Sequence, residues 1–305
     1  MSDVIKIKVP ASTANLGPGF DTLSLALEWY NEFVFKVTKE GLTITQTGAT
    51  KLPEDSTNLV YKSFCEVFKK QQKTPPGIEI NIDTQIPQAA GLGSSASAVV
   101  SGVLAANTIL GNTLSKREVL SLATKIEGHP DNCAAAVYGG LSISVSVDDR
   151  VYVSQFPWPN ELFITVVIPD FDLPTRISRE LLPAQVSYGD ATFNVSRTAY
   201  LLASLLNKDW EGLKIGFQDR LHQPFRRDLV PGMEPVLSKA LSSGAFGATL
   251  SGAGPALAAF INDKNKAELI GSEMVNKWQE FKVKSTYKVL KVALEGATVE
   301  TLVTK

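Results

Sequence analysis

The chain has 305 residues, 44% of them hydrophobic, with 30 Lys and Arg against 31 Asp and Glu and a formal net charge of −1. That balance excludes a general electrostatic footprint for nucleic acid or an anionic membrane, so an anionic ligand must be held by a few placed cations. Cys65 and Cys133 have no metal-ligand spacing and rule out a disulfide framework, which fits a reducing, cytoplasmic compartment.

The chain opens on "VIKIKV", where Ile5, Ile7 and Val9 alternate with Lys6 and Lys8, the period of a half-buried strand. No long apolar run marks a signal peptide here. "NEFVFKVTK" and "LTITQT" predict further strands around a Glu40-Gly41 turn. In "STNLVYKSFCEVFKKQQ", Leu59, Val60, Phe64, Val67 and Phe68 fall at helical spacing, and Pro75-Pro76-Gly77 ends that unit. "GIEINIDTQI" puts Ile78, Ile80 and Ile82 on one face, a strand again. The glycine- and serine-rich "PQAAGLGSSAS" then runs into a helix expected from about Ser94 to Leu110. The least polar run, Ala96 to Leu110, is shorter than the roughly 20 residues a membrane span needs.

A helix from Ser115 to about Glu127 starts with a capping-box pattern, Glu118 following Ser115 by three residues. "GGLSISVSV" and "RVYVSQF" read as strands. "PWPN" is the strongest punctuation in mid-chain, and the domain boundary is placed there, giving 1–158 and 159–305. "ELFITVVIPD" predicts a buried strand, followed by helical patterns around Arg176–Leu182, Phe193–Leu206 and Pro231–Ser242. The glycine-rich "GAFGATLSGAGPALAAF", a helix from Lys264 to Phe281 and closing strands complete the chain. Strands and helices mix without strict alternation, which predicts an α+β fold rather than a doubly wound sheet.

"PQAAGLGSSAS" contains a G-x-G-x-x-[GA] pattern from Gly91 to Ala96. A dinucleotide fingerprint requires an acid about 20 residues on at a strand end. That distance falls in the Thr113–Lys116 turn, which has none. A Walker A loop requires a lysine, and none follows Gly93. The chemistry still favours phosphate, because glycines admit an oxyanion close to the backbone and the new helix offers unpaired N–H groups and a positive dipole end. Taken alone, such a loop is more often a tight turn whose glycines serve only φ > 0.

Its company decides the matter. "PQAAGLGSSAS" resembles the P-x-x-x-G-L-G-S-S-A phosphate loop of the GHMP kinases. "PASTANLGPGFDTLSLAL" (10–27) resembles that family's first motif and "GATLSGAGPALAAF" (247–260) its third. The resemblance implies a two-domain α+β fold, with a ribosomal protein S5 domain 2-like N-terminal domain and a ferredoxin-like C-terminal domain. It also implies ATP-dependent phosphorylation of a small alcohol with Mg²⁺, the site lying between the domains, and a homodimer. Within the family, the first motif is most similar to that of members acting on homoserine. "EGHPDNCAAAVYGG", "IPDFDLPTRISRELLP" and "LHQPFRRDLVPG" agree with that.

Homoserine carries an ammonium, a carboxylate and a hydroxyl. By resemblance Asp21 pairs the ammonium, Asn15 orients the hydroxyl, Arg179 and Arg226 clamp the carboxylate, and His129 and Thr175 line the same site. The planar Arg fork suits a carboxylate. Any single Arg is ordinarily surface charge, Asp21 a helix cap and Asn15 a turn residue, and Arg176 and Arg227 compete with their neighbours for the clamp. The resemblance assigns ATP to Pro87, Gln88, Ala89, Ala90, Gly91, Leu92, Gly93, Ser94, Ser95, Ala96 and Ser97, with Ser251 and Gly252 beside the nucleotide and Asn58 at the adenine. Ser95 and Glu127 hold Mg²⁺. An acid at a helix C-terminus opposes the dipole, as Glu127 does. Asp131 occupies the position of a catalytic base in some members. A loose phosphoryl-transfer transition state needs little nucleophile activation, so direct proton transfer to phosphate stays open beside it. His222 braces "QPFRRD" as readily as it serves a site, and is not among the candidates.

Two competing readings are a kinase of another small alcohol, such as mevalonate or shikimate, and a catalytically inactive ligand sensor. The presence of Gly91, Gly93, Ser95 and Glu127 weighs against the sensor.

Overall fold

The computed structural model describes residues 3–48 and 51–303. Strand β1 (Asp3–Ala14) starts with the expected alternation, Ile5, Ile7 and Val9 inside and Lys8 outside. From Pro10 onward the alternation stops and every residue to Gly19 is buried, because this stretch is covered on both faces. Strand β1 pairs antiparallel with β2 (Leu23–Thr38), which pairs antiparallel with β4 (Gly77–Thr84). Strand β3 (Leu42–Gly48) lies beyond β4 and parallel to it. The expected turn at Glu40-Gly41 is therefore present, but it makes no hairpin: β4 takes the place beside β2.

Helix α1 (Leu59–Lys70) connects β3 to β4 and buries Val60, Phe64, Val67 and Phe68, the predicted stripe. Helices α2 (Ser94–Ile109), α3 (Lys116–Glu127) and α4 (Asp131–Tyr138) share the core that α1 and the sheet enclose. Burying each such Phe, Ile or Val side chain contributes roughly 1.5–3 kcal/mol. The capping box at Ser115 forms as read, and Gly128 ends α3 in the left-handed conformation. Helix α4 is absent from the sequence expectation: it has eight residues and opens on polar Asp131 and Asn132. Strands β5 (Leu141–Val147) and β6 (Arg150–Phe156) form a hairpin that joins the sheet through β2.

The second half runs β7 (Phe163–Pro169), α5 (Thr175–Glu180), α6 (Tyr188–Asn207), α7 (Trp210–Gly216), α8 (Gln223–Arg226), α9 (Met233–Ser242), β8 (Gly247–Leu250), β9 (Leu257–Ile261), α10 (Lys264–Glu280) and β10 (Ser285–Leu290). Its four strands form an antiparallel sheet in the order β10-β7-β9-β8. That is the order of a split β-α-β unit, the ferredoxin-like arrangement the sequence resemblance implied. The last strand, β11 (Thr298–Val303), leaves this half and pairs with β1 in the seven-stranded sheet. One apolar cluster joins the two halves, packing Leu23, Leu25 and Leu92 with Ile164, Phe217 and Phe260. Among the described residues, no helix is long and apolar enough to cross a membrane.

Candidate active site

Three segments far apart in sequence meet at the edge of that shared core. The loop between β4 and α2 turns through left-handed residues at Ala89, Gly91 and Gly93. A side chain at Gly91 would run into the backbone of Ser251 and Gly254, and one at Gly93 into Ser12. The two glycines are thus fixed by sign of φ and by contact. The amide of Ser12 donates to Leu92 O (3.0 Å), that of Ala256 to Ala90 O (3.1 Å) and that of Gly252 to Ala14 O (3.1 Å). The hydroxyl of Ser251 lies 2.9 Å from Thr13 Oγ1 and donates to Gly91 O at 2.7 Å. The result is a cavity of about 400 Å³. Pro87, Gln88, Ala89, Ala90, Gly91, Leu92, Gly93, Ser94, Ser95, Asn58 and Gly252 line it from the nucleotide candidates. Helix α2 begins here, and its first three amides precede the Ser97-to-Gly93 bond that opens the helical ladder.

One wall is acidic. Ser95 Oγ donates to Glu127 Oε2 at 2.8 Å, so a hydroxyl and a carboxylate at the ends of α2 and α3 converge. Two hard oxygen donors of this kind fit a magnesium ion, a hard cation that takes oxygen ligands. Burial pushes the Glu127 carboxyl up, against the Ser95 hydrogen bond and the nearby imidazole. His129 Nδ1 lies 2.7 Å from Asp131 Oδ1 and its Nε2 3.8 Å from Glu127 Oε1. Burial opposes a charged imidazole, but the Asp131 hydrogen bond and the two negative neighbours outweigh it and raise His129 above its ordinary value. Asp131 is buried at the first turn of α4 and also accepts from the Asn132 amide at 2.7 Å.

The other wall is basic. Arg179, on α5, grips Asp21 with both ends of its fork, Nη2 to Oδ1 at 2.6 Å and Nη1 to Oδ2 at 3.0 Å. This pairing holds Arg179 above its usual value. Arg226, at the end of α8, is 1% exposed and has no carboxylate within ion-pair distance among the described residues. Neutral acceptors hold it: Ser178 O at 3.3 Å, Gly252 O at 3.0 Å and His222 Nδ1 at 3.1 Å. Burial, with Arg179 close by, pulls its guanidinium down to about 10. Thr175 lines the cavity from the first residue of α5. Within each arginine pair the partners differ: Arg176 turns to Glu180 and Arg227 to Glu234 on the surface, while Arg179 and Arg226 line the cavity.

Several candidates sit differently from the expectation. Ala96, Ser97, Ser251 and Asp21 do not line the cavity; the first three are fully buried, the two serine hydroxyls hold backbone and neighbouring side chains in place, and the Asp21 carboxylate is taken up by Arg179. The Asn58 amide caps α1, with Oδ1 accepting from Val60 N and Nδ2 donating to Pro53 O, so its polar atoms already have partners at the cavity rim. Asn15 lines the cavity, yet its carboxamide accepts from Asp21 N at 3.0 Å and donates to Gly252 O at 2.9 Å. Asn15, Leu16 and Asp21 are all left-handed without being glycine. Such residues cost of order 1–3 kcal/mol each and gather where a site over-determines the backbone. Asn31 was not foreseen. It supports the loop from inside β2, accepting from Gln85 N (2.8 Å) and Ile86 N (2.9 Å) and donating to Ser97 Oγ (2.9 Å). A buried Asn inside a strand leaves no mark in the sequence pattern. Ser12 and Asn132, linked at 2.8 Å, tie the first motif to α4 and were equally silent.

The GHMP kinases N terminal domain family model matches residues 58–140, and the GHMP kinases C terminal model residues 201–280. A homoserine kinase of Crocosphaera subtropica is 39% identical over 97% of this chain and 97% of its own length. One of Caldanaerobacter subterraneus subsp. tengcongensis is 44% identical over 88% of this chain and 86% of its own. The crystal structure of homoserine kinase from Cytophaga hutchinsonii superimposes with a TM-score of 0.88 at 31% identity, covering 97% of each chain.

Proposed function

The chain belongs to the GHMP kinases, in their homoserine kinase branch, moving the terminal phosphoryl group of ATP to the hydroxyl of L-homoserine on the route to threonine, and we propose that the two walls of its cleft divide that work. The observation that carries the division is that one cavity is lined both by Glu127, His129 and Asp131, from the end of α3 to the start of α4, and by Arg179 and Arg226, from α5 and α8.

The triphosphate of ATP lies along 87–95, where the amides of Ser94 and Ser95 and the α2 dipole meet its negative oxygens. Gly252 closes over it, Ser251 supports that closure through Gly91, and the adenine lies toward Asn58. Ser95 and Glu127 hold Mg²⁺, which when bound offsets charge on the phosphate oxygens. Homoserine sits opposite. Asp21 takes its ammonium, Arg179 and Arg226 its carboxylate, and His129 and Thr175 flank it. Asn15 fixes the turn that presents Asp21 and orients the hydroxyl.

Asp131 is assigned to the hydroxyl proton. Asp131→Asn is expected to lower kcat by about 10²–10⁴-fold. A variant within about threefold of the wild type would assign the proton to phosphate directly instead. The function as a whole is tested by one coupled ADP-release assay across homoserine, mevalonate, shikimate and galactose. Turnover of homoserine alone is expected. Equal use of mevalonate, or turnover of no alcohol, overturns the assignment.

The same reading takes the chain as two units, 1–158 and 159–305, with the final strand returned to the first sheet. It also takes the protein as cytoplasmic, which two free cysteines fit, and as a homodimer, which light scattering on the purified chain tests.

A further inference from the structure

His222 does not line the cavity, yet both of its ring nitrogens are committed. Nε2 lies 2.8 Å from Gly17 O, and a carbonyl only accepts, so Nε2 carries the proton. Nδ1 lies 3.1 Å from Nη1 of Arg226, and a guanidinium only donates, so Nδ1 is the bare acceptor. One neutral tautomer satisfies both contacts. Asp219, its side chain fully buried, anchors the segment, accepting from the amides of Leu221, His222 and Gln223, and its Oδ2 is 3.5 Å from Nε2. Phe20 stacks on the imidazole with 5.2 Å between centroids and lies 5.4 Å from the Arg226 guanidinium carbon. Burial holds His222 below the ordinary histidine value, in keeping with a neutral ring.

We propose that His222 is a positioning residue for substrate-carboxylate recognition: it fixes the Arg226 fork with a neutral acceptor and, through Gly17, ties the "NLGPGFD" loop to that fork. A carboxylate in its place would align the guanidinium equally well but would cancel its charge. The ring, with Ser178 O and Gly252 O, aligns Arg226 and leaves the positive charge for an incoming anion. This inference rests on assigning Arg226 to the homoserine carboxylate.

The test compares wild type, His222→Gln, His222→Asn and Arg226→Met, with homoserine and with its methyl ester, ATP varied separately. Gln keeps a donor toward Gly17 and loses the acceptor for Arg226. Asn keeps an acceptor near the Nδ1 position. His222→Gln is expected to raise KM for homoserine about tenfold while kcat and KM for ATP stay within about twofold. His222→Asn recovers most of that loss, and with the methyl ester the Gln variant matches the wild type. Equal impairment of both variants, or an equal defect with acid and ester, overturns the proposal. If Arg226→Met weakens homoserine and His222→Gln does not, this inference alone fails; if Arg226→Met has no effect on homoserine, the carboxylate assignment fails with it. Nitrogen-15 spectra of wild-type histidine provide a measurement free of folding defects. The Nε2-protonated neutral form of His222 is expected, with Nδ1 shifting on homoserine binding. A doubly protonated ring overturns the proposal.

Discussion

On one wall of the cleft His129 stands between Glu127 and Asp131; on the other His222 stands beneath Arg226. They are the two histidines of the chain, and both are buried. Carboxylates surround the first and favour its imidazolium over the cost of burial. Burial and a guanidinium neighbour the second and favour the neutral ring. The sign of the neighbourhood, set by which elements arrive at each wall, decides what the same side chain does.

Four measurements break or sharpen that contrast. Glu127→Gln strikes the acidic wall and is expected to lower kcat by at least about 100-fold with KM for homoserine nearly unchanged. A rise in homoserine KM instead would erase the division between the walls. Asp21→Asn strikes the basic wall and is expected to raise KM for homoserine by about 10- to 150-fold, about 1.5–3 kcal/mol, and KM for ATP little. Matching changes for both substrates would show the two walls acting as one. Gly91→Ala strikes the seam they share. It demands a left-handed alanine pressed against the backbone of Ser251 and Gly254, and an unfolding free energy lower by about 2–3 kcal/mol is expected by denaturant titration. The smallest effect is with pH. His222 has its folded value depressed, so the unfolded chain takes up its proton first as pH falls. The stability it contributes is present above about 6.5 and is lost as pH falls through that value toward the folded one. His222→Asn is therefore expected to flatten the acid side of a Tm-against-pH curve; an unchanged acid side would show that another group carries that slope.

The sequence pattern disclosed what is local. Alternation at Ile5, Ile7 and Val9, the stripe on α1, the capping box at Ser115 and the glycines of the phosphate loop each depend on neighbours within a few residues. What stayed hidden depends on distant partners. No turn signal at Glu40-Gly41 says that β4 will intervene beside β2, and β11 carries no mark of its return to β1. Helix α4 was missed because eight residues rich in alanine show little periodicity. The site followed the same rule. Arg179 and Arg226 were named from motifs, but only the fold separates them from Arg176 and Arg227. The resemblance assigns Asn58 and Ser251 as ligand contacts, and the fold gives their polar atoms protein partners. His222 carries no local signal because its partners are Gly17 and Arg226, one of them about two hundred residues away.

The two-pronged bond between Arg179 and Asp21 has a consequence for selectivity. Without substrate, each already has an opposite charge for company. A newcomer with an ammonium and a carboxylate can cut in and leave every partner matched, a complete exchange. A simple amine or a simple acid can take only one of them and strands the other. On the proposed assignment, the cleft therefore screens for amino acids as a class before any group inspects the hydroxyl. An amino acid of similar length lacking that hydroxyl would pass the first inspection and fail only the second, occupying the site without being consumed.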